Sequence, residues 1–346
     1  MAEKSEKNSI VRLVEKLRAN KFIQAVLFFL TSPKLKTKVR KWGWAIIRSI
    51  FLLGFCFVIL YPILLIISKT FMLRDDLYDP SVILIPKNFT FYNILWIASF
   101  MDYWNALKNT VIIAGGVTLF QIAACLMIGY GFARFNFKLK GILFGLVIFT
   151  LIVPPQIMMS ALYMNYRFFN PLGLVTLFTG SKKGWNLITG AAPYFMIAAT
   201  GMGIKNGLLI YIFRQFFRNM PKETEEAALV DGAGTFKTFY KIMVPDALTA
   251  IVTVALFSFV WQYNDSVFST LFTPPSAQIG TKSTNMLLMT NAYDLVGSLF
   301  LAGGEPRYVA ATMSTAVFLI LLPPVTLYLI LQRFFIQSIE RTGVVG

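Results

Sequence analysis

A cluster of polar and aromatic side chains interrupts an otherwise apolar stretch between residues 247 and 272. It contains Trp261, Tyr263, Asn264 and Asp265. An aromatic face beside hydrogen-bonding groups suits a sugar, which offers apolar C–H faces and many hydroxyls. A second interpretation is that the amide and the carboxylate bond neighbouring helices and that the rings lie in a membrane interface. The cluster is therefore a candidate substrate path.

Residues that would support catalysis or metal binding are missing from the sequence. The chain has no histidine, which removes His general bases, His metal sites and His proton relays together. Its two cysteines, Cys56 and Cys125, lie in apolar runs, where a thiol behaves as a small hydrophobe. The sequence contains no GxxxxGK(S/T) phosphate loop and no carboxylate pair with a basic partner. We therefore expect no catalytic residue, no metal site and no cofactor in this chain, which argues against a membrane-embedded enzyme.

A polar segment, PKETEEAALVDGAGTFKTFYKIMVP, runs from Pro221 to Pro245. Its first proline suits a first helical turn, and the glutamates that follow lie where the helix dipole favours anions. Gly232 and Gly234 permit a tight or left-handed turn, after which Thr235 can cap a second helix. The last proline closes the unit. The segment predicts a helix, a turn and a second helix.

Composition decides what kind of protein carries these residues. Of the 346 residues, 56% are hydrophobic, 33 are Phe and only 14% are charged. Soluble domains are closer to half apolar and a quarter charged, so one water-soluble core cannot bury this much apolar surface. The apolar residues gather into runs of about 20, the length at which a helix spans a hydrocarbon layer of roughly 30 Å. The predicted fold class is an all-α integral membrane protein.

Six apolar runs are long enough to span a membrane, and the sequence places them at about 44–69, 109–133, 141–161, 193–217, 247–272 and 308–331. Residues 44–346 would then form the transmembrane domain. Pro323 and Pro324 should kink or break the sixth span. Gly141 and Gly145 have the spacing of a close helix pair, which by itself is a weak pattern.

The positive charge indicates how the chain is oriented. The formal charge is +16, and eleven Lys or Arg lie between Lys4 and Lys41, ahead of the first apolar run. By the positive-inside rule this places both termini in the cytoplasm. Residues 1–43 form a basic extension, and apolar groups at helical spacing over residues 8–31 suggest an amphipathic helix on the membrane lipid. No stacking module or reading helix accompanies the charge, so we expect no nucleic-acid binding.

The polar segment resembles the EAA loop of ABC-importer permeases. That pattern is Glu-Ala-Ala, three residues, Gly, nine residues, Ile, one residue, an aliphatic and Pro. The chain matches it at Glu226, Ala227, Ala228, Gly232, Ile242, Val244 and Pro245, with both spacings kept. Neighbouring sequence is similar to maltose-type carbohydrate permeases, namely FRQFFRNMPKETEEAALVDGAGTF at 213–236 and the ending QRFFIQSIERTGVVG. This ending resembles the G-type member of the permease pair.

The resemblance implies a function and a set of partners. It implies half of an alternating-access path for a carbohydrate, in a bacterial cytoplasmic (inner) membrane. The implied partners are a second homologous permease, two ATPase subunits that bind ATP and magnesium, and a solute-binding protein that contacts the outer loop at 273–307. The implied ATPase-coupling residues are Glu225, Glu226, Ala227, Ala228, Asp231, Gly232, Ile242 and Pro245.

An ion-coupled secondary transporter is the alternative function. Such a protein needs intramembrane carboxylates and, as a rule, internal repeats with broken helices. Asp265 is the plausible intramembrane carboxylate, and the sequence contains no evident repeat. The chain therefore fits an importer subunit better.

Overall fold

The computed structural model describes residues 33–180, 184–188, 190–272, 288–301 and 303–343. These ranges are helical and contain no strand, and two isolated β-bridges join Met72 to Phe89 and Phe169 to Trp185. The described part of the chain is thus all helical, which confirms the predicted fold class of an all-α membrane protein. The amphipathic helix predicted over residues 8–31 lies outside the described residues.

The chain divides into two compact units, residues 1–65 and residues 66–346. In the first unit, the described residues belong to helix α1, Pro33–Phe71, which continues across the boundary. Large apolar side chains such as Phe51, Leu53 and Ile59 are exposed along this helix. The division predicted at residues 43 and 44 is not tested by this boundary and stays a prediction.

The segment after α1 forms the two short helices α2, Arg74–Tyr78, and α3, Tyr92–Phe100. The buried carboxylate of Asp76 accepts hydrogen bonds from the Asn88 backbone N–H at 2.8 Å and from its side-chain amide at 2.9 Å. The ammonium of Lys87 lies 2.5 Å from Asp79 and, as the main cause, lowers the pKa of that exposed carboxyl. These polar contacts hold the connection between the first two predicted spans.

Helix α4, Tyr103–Arg134, runs through the second unit and packs against most of its long helices. The helices that follow it are α5 Lys140–Phe149, a 3-10 turn at Pro155–Met158, α6 Met159–Arg167, a 3-10 turn at Pro171–Gly173, α7 Leu174–Thr179, α8 Ala192–Ala199 and α9 Asn206–Asn219.

Two of the predicted spans are divided between helices. The third, at about 141–161, is interrupted after α5 by Pro154 and Pro155, which lack the N–H groups that a continuing helix needs. The fourth, at about 193–217, is interrupted between α8 and α9, where Gly201 and Lys205 have φ angles of 74° and 53°. Positive φ ends a right-handed helix. With the prolines in the third span and the positive φ angles in the fourth, neither span is a single straight helix.

The remaining helices are α10 Glu223–Val230, α11 Thr235–Thr238, a π-turn at Phe239–Met243, α12 Val244–Asp246, α13 Leu248–Tyr263, α14 Val267–Phe272, α15 Leu288–Leu301 and α16 Pro306–Gly343. The stretch Thr235–Asp246 meets α13 at an angle of 74°. A kink or a break was expected at Pro323 and Pro324; helix α16 continues past both prolines, so the sixth predicted span is not broken there.

Three helices in the described ranges are long and apolar enough to cross a membrane: Lys41–Phe71, Tyr103–Arg134 and Pro306–Gln332. Thr235–Asp246 and Leu248–Tyr263 add a fourth if the bent pair is one span. The six-span count stays a prediction, because the other predicted spans are assembled from shorter helices.

Glycines set the closest helix approaches. A Cβ added at Gly129 of α4 would lie 2.6 Å from the Cβ of Phe213 on α9, and one added at Gly207 would lie 2.6 Å from the carbonyl oxygen of Val147 on α5. No atom lies within 4 Å of such a Cβ at Gly141 or Gly145. Among the described residues, therefore, no helix packs closely against Gly141 or Gly145, whereas α9 packs closely against α4 and α5.

Candidate coupling surface and translocation path

The polar segment forms a helix, a turn and a second helix, with the turn at Gly232. The Ala233 N–H donates to the Ala228 carbonyl at 3.0 Å, and the Gly232 N–H donates to the Leu229 carbonyl at 3.1 Å. These two bonds form a Schellman motif, which satisfies the last carbonyls of α10. Gly232 has φ 78°, a conformation that favours glycine. Thr235, expected to cap the second helix, is instead its first residue after Gly234.

Neighbouring glutamates of α10 face opposite environments. Glu225 has a side chain only 15% exposed, and its carboxylate lies 3.0 Å from Nε of Arg134, whose side chain is 7% exposed. Its other oxygen accepts a hydrogen bond of 2.5 Å from the hydroxyl of Tyr130. Glu226 is exposed. Glu225 therefore attaches α10 to the end of α4, while Glu226 is free to meet another protein.

Arg134 also holds the start of the segment, because its Nη2 donates to the carbonyls of Met220 at 3.1 Å and Pro221 at 3.4 Å. The sequence-based predictions gave this arginine no role of its own. Its position directly after the second predicted span, at 109–133, was the one signal that could have singled it out, and the structure makes it the last residue of α4. Tyr130, one turn earlier on α4, gave no signal.

The second helix of the segment is anchored by aromatic packing. The ring of Tyr130 lies 4.7 Å from that of Phe239 and 5.3 Å from that of Phe217, measured between centroids. Met243 is fully buried in the same cluster. The residues in this packing lie on α4, on α9 and in the segment itself. A displacement of the segment would therefore act directly on α4 and α9.

The outer face of the segment is apolar and exposed. Val230 is 87% exposed and Phe236 79% exposed, and Leu229 and Tyr240 are exposed as well. Exposed large apolar side chains that cluster at one place mark an interaction surface. We call these four residues, with Glu226, the coupling surface and residues 221–245 the coupling segment; both names denote candidates.

The other predicted coupling residues divide between this face and the interior. Ala227, Asp231 and Pro245 are exposed, Ile242 is partly buried, and Ala228 is buried at 5%. Of the two alanines expected to contact the ATPase, Ala227 is accessible to a partner, whereas Ala228 packs against its own chain.

The predicted substrate-path residues do not share one surface. Tyr263 is buried, and its hydroxyl donates to the Ile320 carbonyl on α16 at 2.9 Å. Asp265 is also buried and caps α14, accepting hydrogen bonds from the backbone N–H groups of Val267 at 3.1 Å, Phe268 at 3.2 Å and Ser269 at 3.0 Å. Both side chains thus bond backbone groups of their own chain, and the assignment of the cluster to a substrate path stays a prediction.

Trp261 and Asn264 are more accessible. Asn264 is exposed where α13 ends, and Trp261 is partly buried with its ring stacked on Phe257 at 5.3 Å. The ammonium of Lys205 lies over the Trp261 ring, 4.7 Å from its centroid. A shallow cavity of about 330 Å³ lies nearby, lined by Met159, Ser266, Val267 and Thr270.

A buried polar network that sequence reasoning missed joins α4, α9 and α13. Gln121 donates to the Asn206 side-chain oxygen at 2.6 Å and to the Ile204 carbonyl at 3.2 Å, and it accepts a hydrogen bond from the Ser258 hydroxyl. The Ser258 hydroxyl oxygen also lies 3.2 Å from the Thr118 hydroxyl oxygen. Single polar residues inside apolar runs gave no pattern from which this grouping could be read.

Comparison with known proteins agrees with this architecture. Residues 122–341 match the family model described as binding-protein-dependent transport system inner membrane component. The chain is 24% identical over 306 residues to the sn-glycerol-3-phosphate transport system permease protein UgpE of Escherichia coli O1:K1 / APEC, covering 87% of this chain and 97% of that protein. It is 26% identical to the alpha-glucoside transport system permease protein AglG of Rhizobium meliloti (strain 1021), covering 75% of this chain and 62% of that protein.

A solved structure has the same fold. It is the crystal structure of a bacterial ABC transporter involved in the import of the acidic polysaccharide alginate, which aligns with a TM-score of 0.60 at 17% identity, over 84% of this chain and 96% of that chain. The family model covers well over half of the sequence. The chain belongs to the family of binding-protein-dependent transport system inner membrane components, the permease subunits of ABC importers.

Proposed function

We propose that this chain forms half of the translocation path of an importer for a carbohydrate or a polyol derivative. The names of its relatives support this substrate class, since they include an alpha-glucoside permease and a glycerol phosphate permease. The helix, turn and helix at 223–246 carries the proposal, because it presents an apolar surface while its inner side is bonded to α4.

The coupling surface is the proposed docking site for a cytoplasmic ATPase subunit. Exposed Leu229, Val230 and Phe236 provide the apolar contact, and the carboxylate of Glu226 provides charge-assisted hydrogen bonds. Movement of the docked ATPase reaches the membrane helices through Glu225 and Arg134. In this assignment ATP and magnesium bind the ATPase, and this chain supplies no catalytic residue.

The proposed topology has six spans and both termini in the cytoplasm. The third span uses α5 with α6, and the fourth uses α8 with α9, each divided at the breaks described above. A second homologous permease completes the path, and a solute-binding protein delivers substrate from outside. Broken spans of this kind commonly line a path, because interrupted backbone is tolerated where it faces a cavity.

Reconstitution of the complete importer in proteoliposomes tests the proposal. The wild-type complex should couple substrate-stimulated ATP hydrolysis to uptake. The double substitution Glu226→Ala and Gly232→Asp should lower stimulated hydrolysis at least about tenfold, as expected when a hot-spot contact of an interface is removed. Glu223→Ala is the matched control, because this glutamate is exposed on the same helix but lies outside the motif.

Two results would contradict the proposal. Full coupling in the double variant would exclude the segment as the coupling element. Accumulation of substrate by this chain alone in an ion gradient, without ATP, would establish the secondary transporter instead.

A further inference from the structure

A lysine occupies the break in the fourth predicted span. Lys205 lies between α8 and α9 with φ 53°, and its side chain is exposed in the isolated chain. Its ammonium lies over the ring of Trp261 on α13, 4.7 Å from the centroid. A cation–π contact of this kind fixes the position of the ammonium and leaves its N–H groups free to bind a further partner.

On the proposed topology, the lysine lies at membrane depth. Helix α9 starts immediately after it, at Asn206, and runs to Asn219, two residues before Pro221, the first residue of the coupling segment. At a rise of about 1.5 Å per residue, its 14 residues place Lys205 roughly 20 Å from the cytoplasmic end of the helix, within a hydrocarbon layer of roughly 30 Å. Trp261 lies 13 positions beyond the start of α13 at Leu248, at about the same depth.

No acidic side chain of the described residues neutralises Lys205. The ion pairs in this part of the chain are Lys87 with Asp79 and Arg134 with Glu225. The carboxylate of Asp265, four residues beyond Trp261, is already bonded to the backbone of α14. A charged side chain facing lipid at this depth is costly, so the lysine must face a water-filled path or another protein.

The residues that follow Lys205 and Trp261 in the sequence each carry a buried amide donor without an acceptor among the described residues. In the buried network, Ser258 donates to Gln121, and Gln121 donates to the oxygen of Asn206. This direction leaves the amide nitrogen of Asn206, the residue after Lys205, without an acceptor. The amide nitrogen of Gln262, the residue after Trp261, is buried and also has no acceptor among the described residues. Both amides belong to residues more than nine-tenths buried.

An excess of buried donors beside an unpaired cation favours a ligand rich in acceptors. We propose that Lys205, positioned by Trp261 and supported by Asn206, binds an anionic group of the transported solute, a phosphate or a carboxylate, as the solute passes the break in the fourth span. The proposal rests on the proposed function and narrows its substrate class from carbohydrates or polyol derivatives to those that carry negative charge.

Uptake by the complete importer in proteoliposomes tests the binding of an anionic group at Lys205. Three radiolabelled probes distinguish a phosphate, a carboxylate and a neutral sugar. The probes are sn-glycerol 3-phosphate, digalacturonate and neutral maltose. Wild-type importer should take up at least one anionic probe and prefer it to maltose. If the binding protein delivers only maltose, and maltose is taken up with ATP, the anion proposal is wrong while the importer function stands. No ATP-dependent uptake of these probes or of any sugar or polyol phosphate would instead contradict the proposed function.

Variants then locate the effect. Lys205→Met should reduce uptake of the anionic probe about tenfold or more, the loss expected when a charge-assisted hydrogen bond is removed, whereas Lys205→Arg should retain most of it. Lys138→Met makes the same change at an exposed lysine in the turn after α4 and should leave uptake unchanged.

A purely structural lysine would behave differently. If Lys205 pairs with an acid of the second permease, Lys205→Met would reduce the amount of assembled complex and the uptake of every probe alike, and this result would overturn the proposal. Basal ATP hydrolysis and the yield of complex, measured beside uptake, distinguish the two outcomes.

Discussion

At the scale of single residues, adjacent glutamates have different tasks. Glu225 points inward to Arg134 and Tyr130, and Glu226 points outward. On a helix, neighbouring residues face directions about 100° apart. A step of one position along α10 is therefore enough to separate a buried carboxylate from an exposed one. The buried one is held by a cation because an unpaired charge in that position would destabilise the fold.

Replacing Arg134 with Met should therefore destabilise the chain. It leaves the Glu225 carboxylate largely buried without its cation and releases the carbonyls of Met220 and Pro221. We expect a loss of about 1–3 kcal/mol, seen as a lower midpoint of thermal unfolding in detergent. Arg218→Met, at an exposed position near the end of α9, is the control and should change the midpoint little. Equal midpoints for both variants would contradict the assignment of Arg134 as an anchor.

Asp265 provides the second prediction at this scale. Because its carboxylate caps α14, Asp265→Ala should cost about 0.5–2 kcal/mol of stability, the usual loss at a helix N-cap. Asn264→Ala removes an exposed neighbour and should not destabilise the chain. Thermal unfolding measures the first effect, and the KM for uptake should stay near the wild-type value in folded Asp265→Ala importer. A large rise in KM without loss of stability would restore Asp265 as a substrate-path residue.

At the scale of elements, the coupling segment depends on how α10 ends. Its Schellman motif needs a residue with positive φ at position 232, and the chain then reverses into the second helix. The 74° bend before α13 turns the segment away from the direction of the span. The turn and the bend together set where the coupling surface lies.

Gly232 and Gly234 offer a matched pair of substitutions. No atom lies within 4 Å of a Cβ added at either glycine, so steric contact does not separate them. Gly232 has φ 78° and Gly234 has φ −66°. Gly232→Ala should therefore cost about 1–2 kcal/mol through backbone strain, while Gly234→Ala should be close to neutral. Thermal unfolding and substrate-stimulated ATP hydrolysis of the two variants measure this difference, and a neutral Gly232→Ala would argue against the left-handed turn.

At the scale of the whole molecule, α4 is the common support of the second unit. Its buried face includes Gly129, where α9 crosses it, and Gln121, where the polar network begins. Its last residue is Arg134, which holds the coupling segment. The candidate coupling surface and the break at Lys205 therefore attach to the same helix, at its C-terminal end and within its length.

Gly129→Ala should separate α4 from α9. The added Cβ would lie 2.6 Å from the Cβ of Phe213 and 3.0 Å from the Arg214 backbone nitrogen, so backbone must move. We expect a destabilisation of about 1–3 kcal/mol, typical of an overpacked core. At Gly131, on the same helix, the nearest atom would be 4.0 Å away, so Gly131→Ala should be neutral or mildly stabilising. The thermal unfolding midpoints of the two variants test the close approach of α4 and α9 at Gly129. Equal shifts of the two midpoints would contradict this approach.

Local sequence pattern was sufficient to predict the fold class of this protein and the structure of its coupling segment. The composition and the long apolar runs identified a helical membrane protein, because the length of a spanning helix is fixed by the thickness of the bilayer. The segment from Pro221 to Pro245 indicated a helix, a turn and a second helix, because glycine and proline at these positions restrict the backbone locally.

Contacts between distant residues were decided only by the tertiary structure. The pairing of Arg134 with Glu225 and of Lys205 with Trp261 joins residues on different helices, and helical periodicity alone does not specify which faces meet. The same limit applies to Asp265: its type suggested a substrate contact, and only the tertiary structure shows that its carboxylate accepts a hydrogen bond from the Ser269 backbone N–H in α14. Sequence fixes what a residue can bond, and packing decides which partner lies within reach.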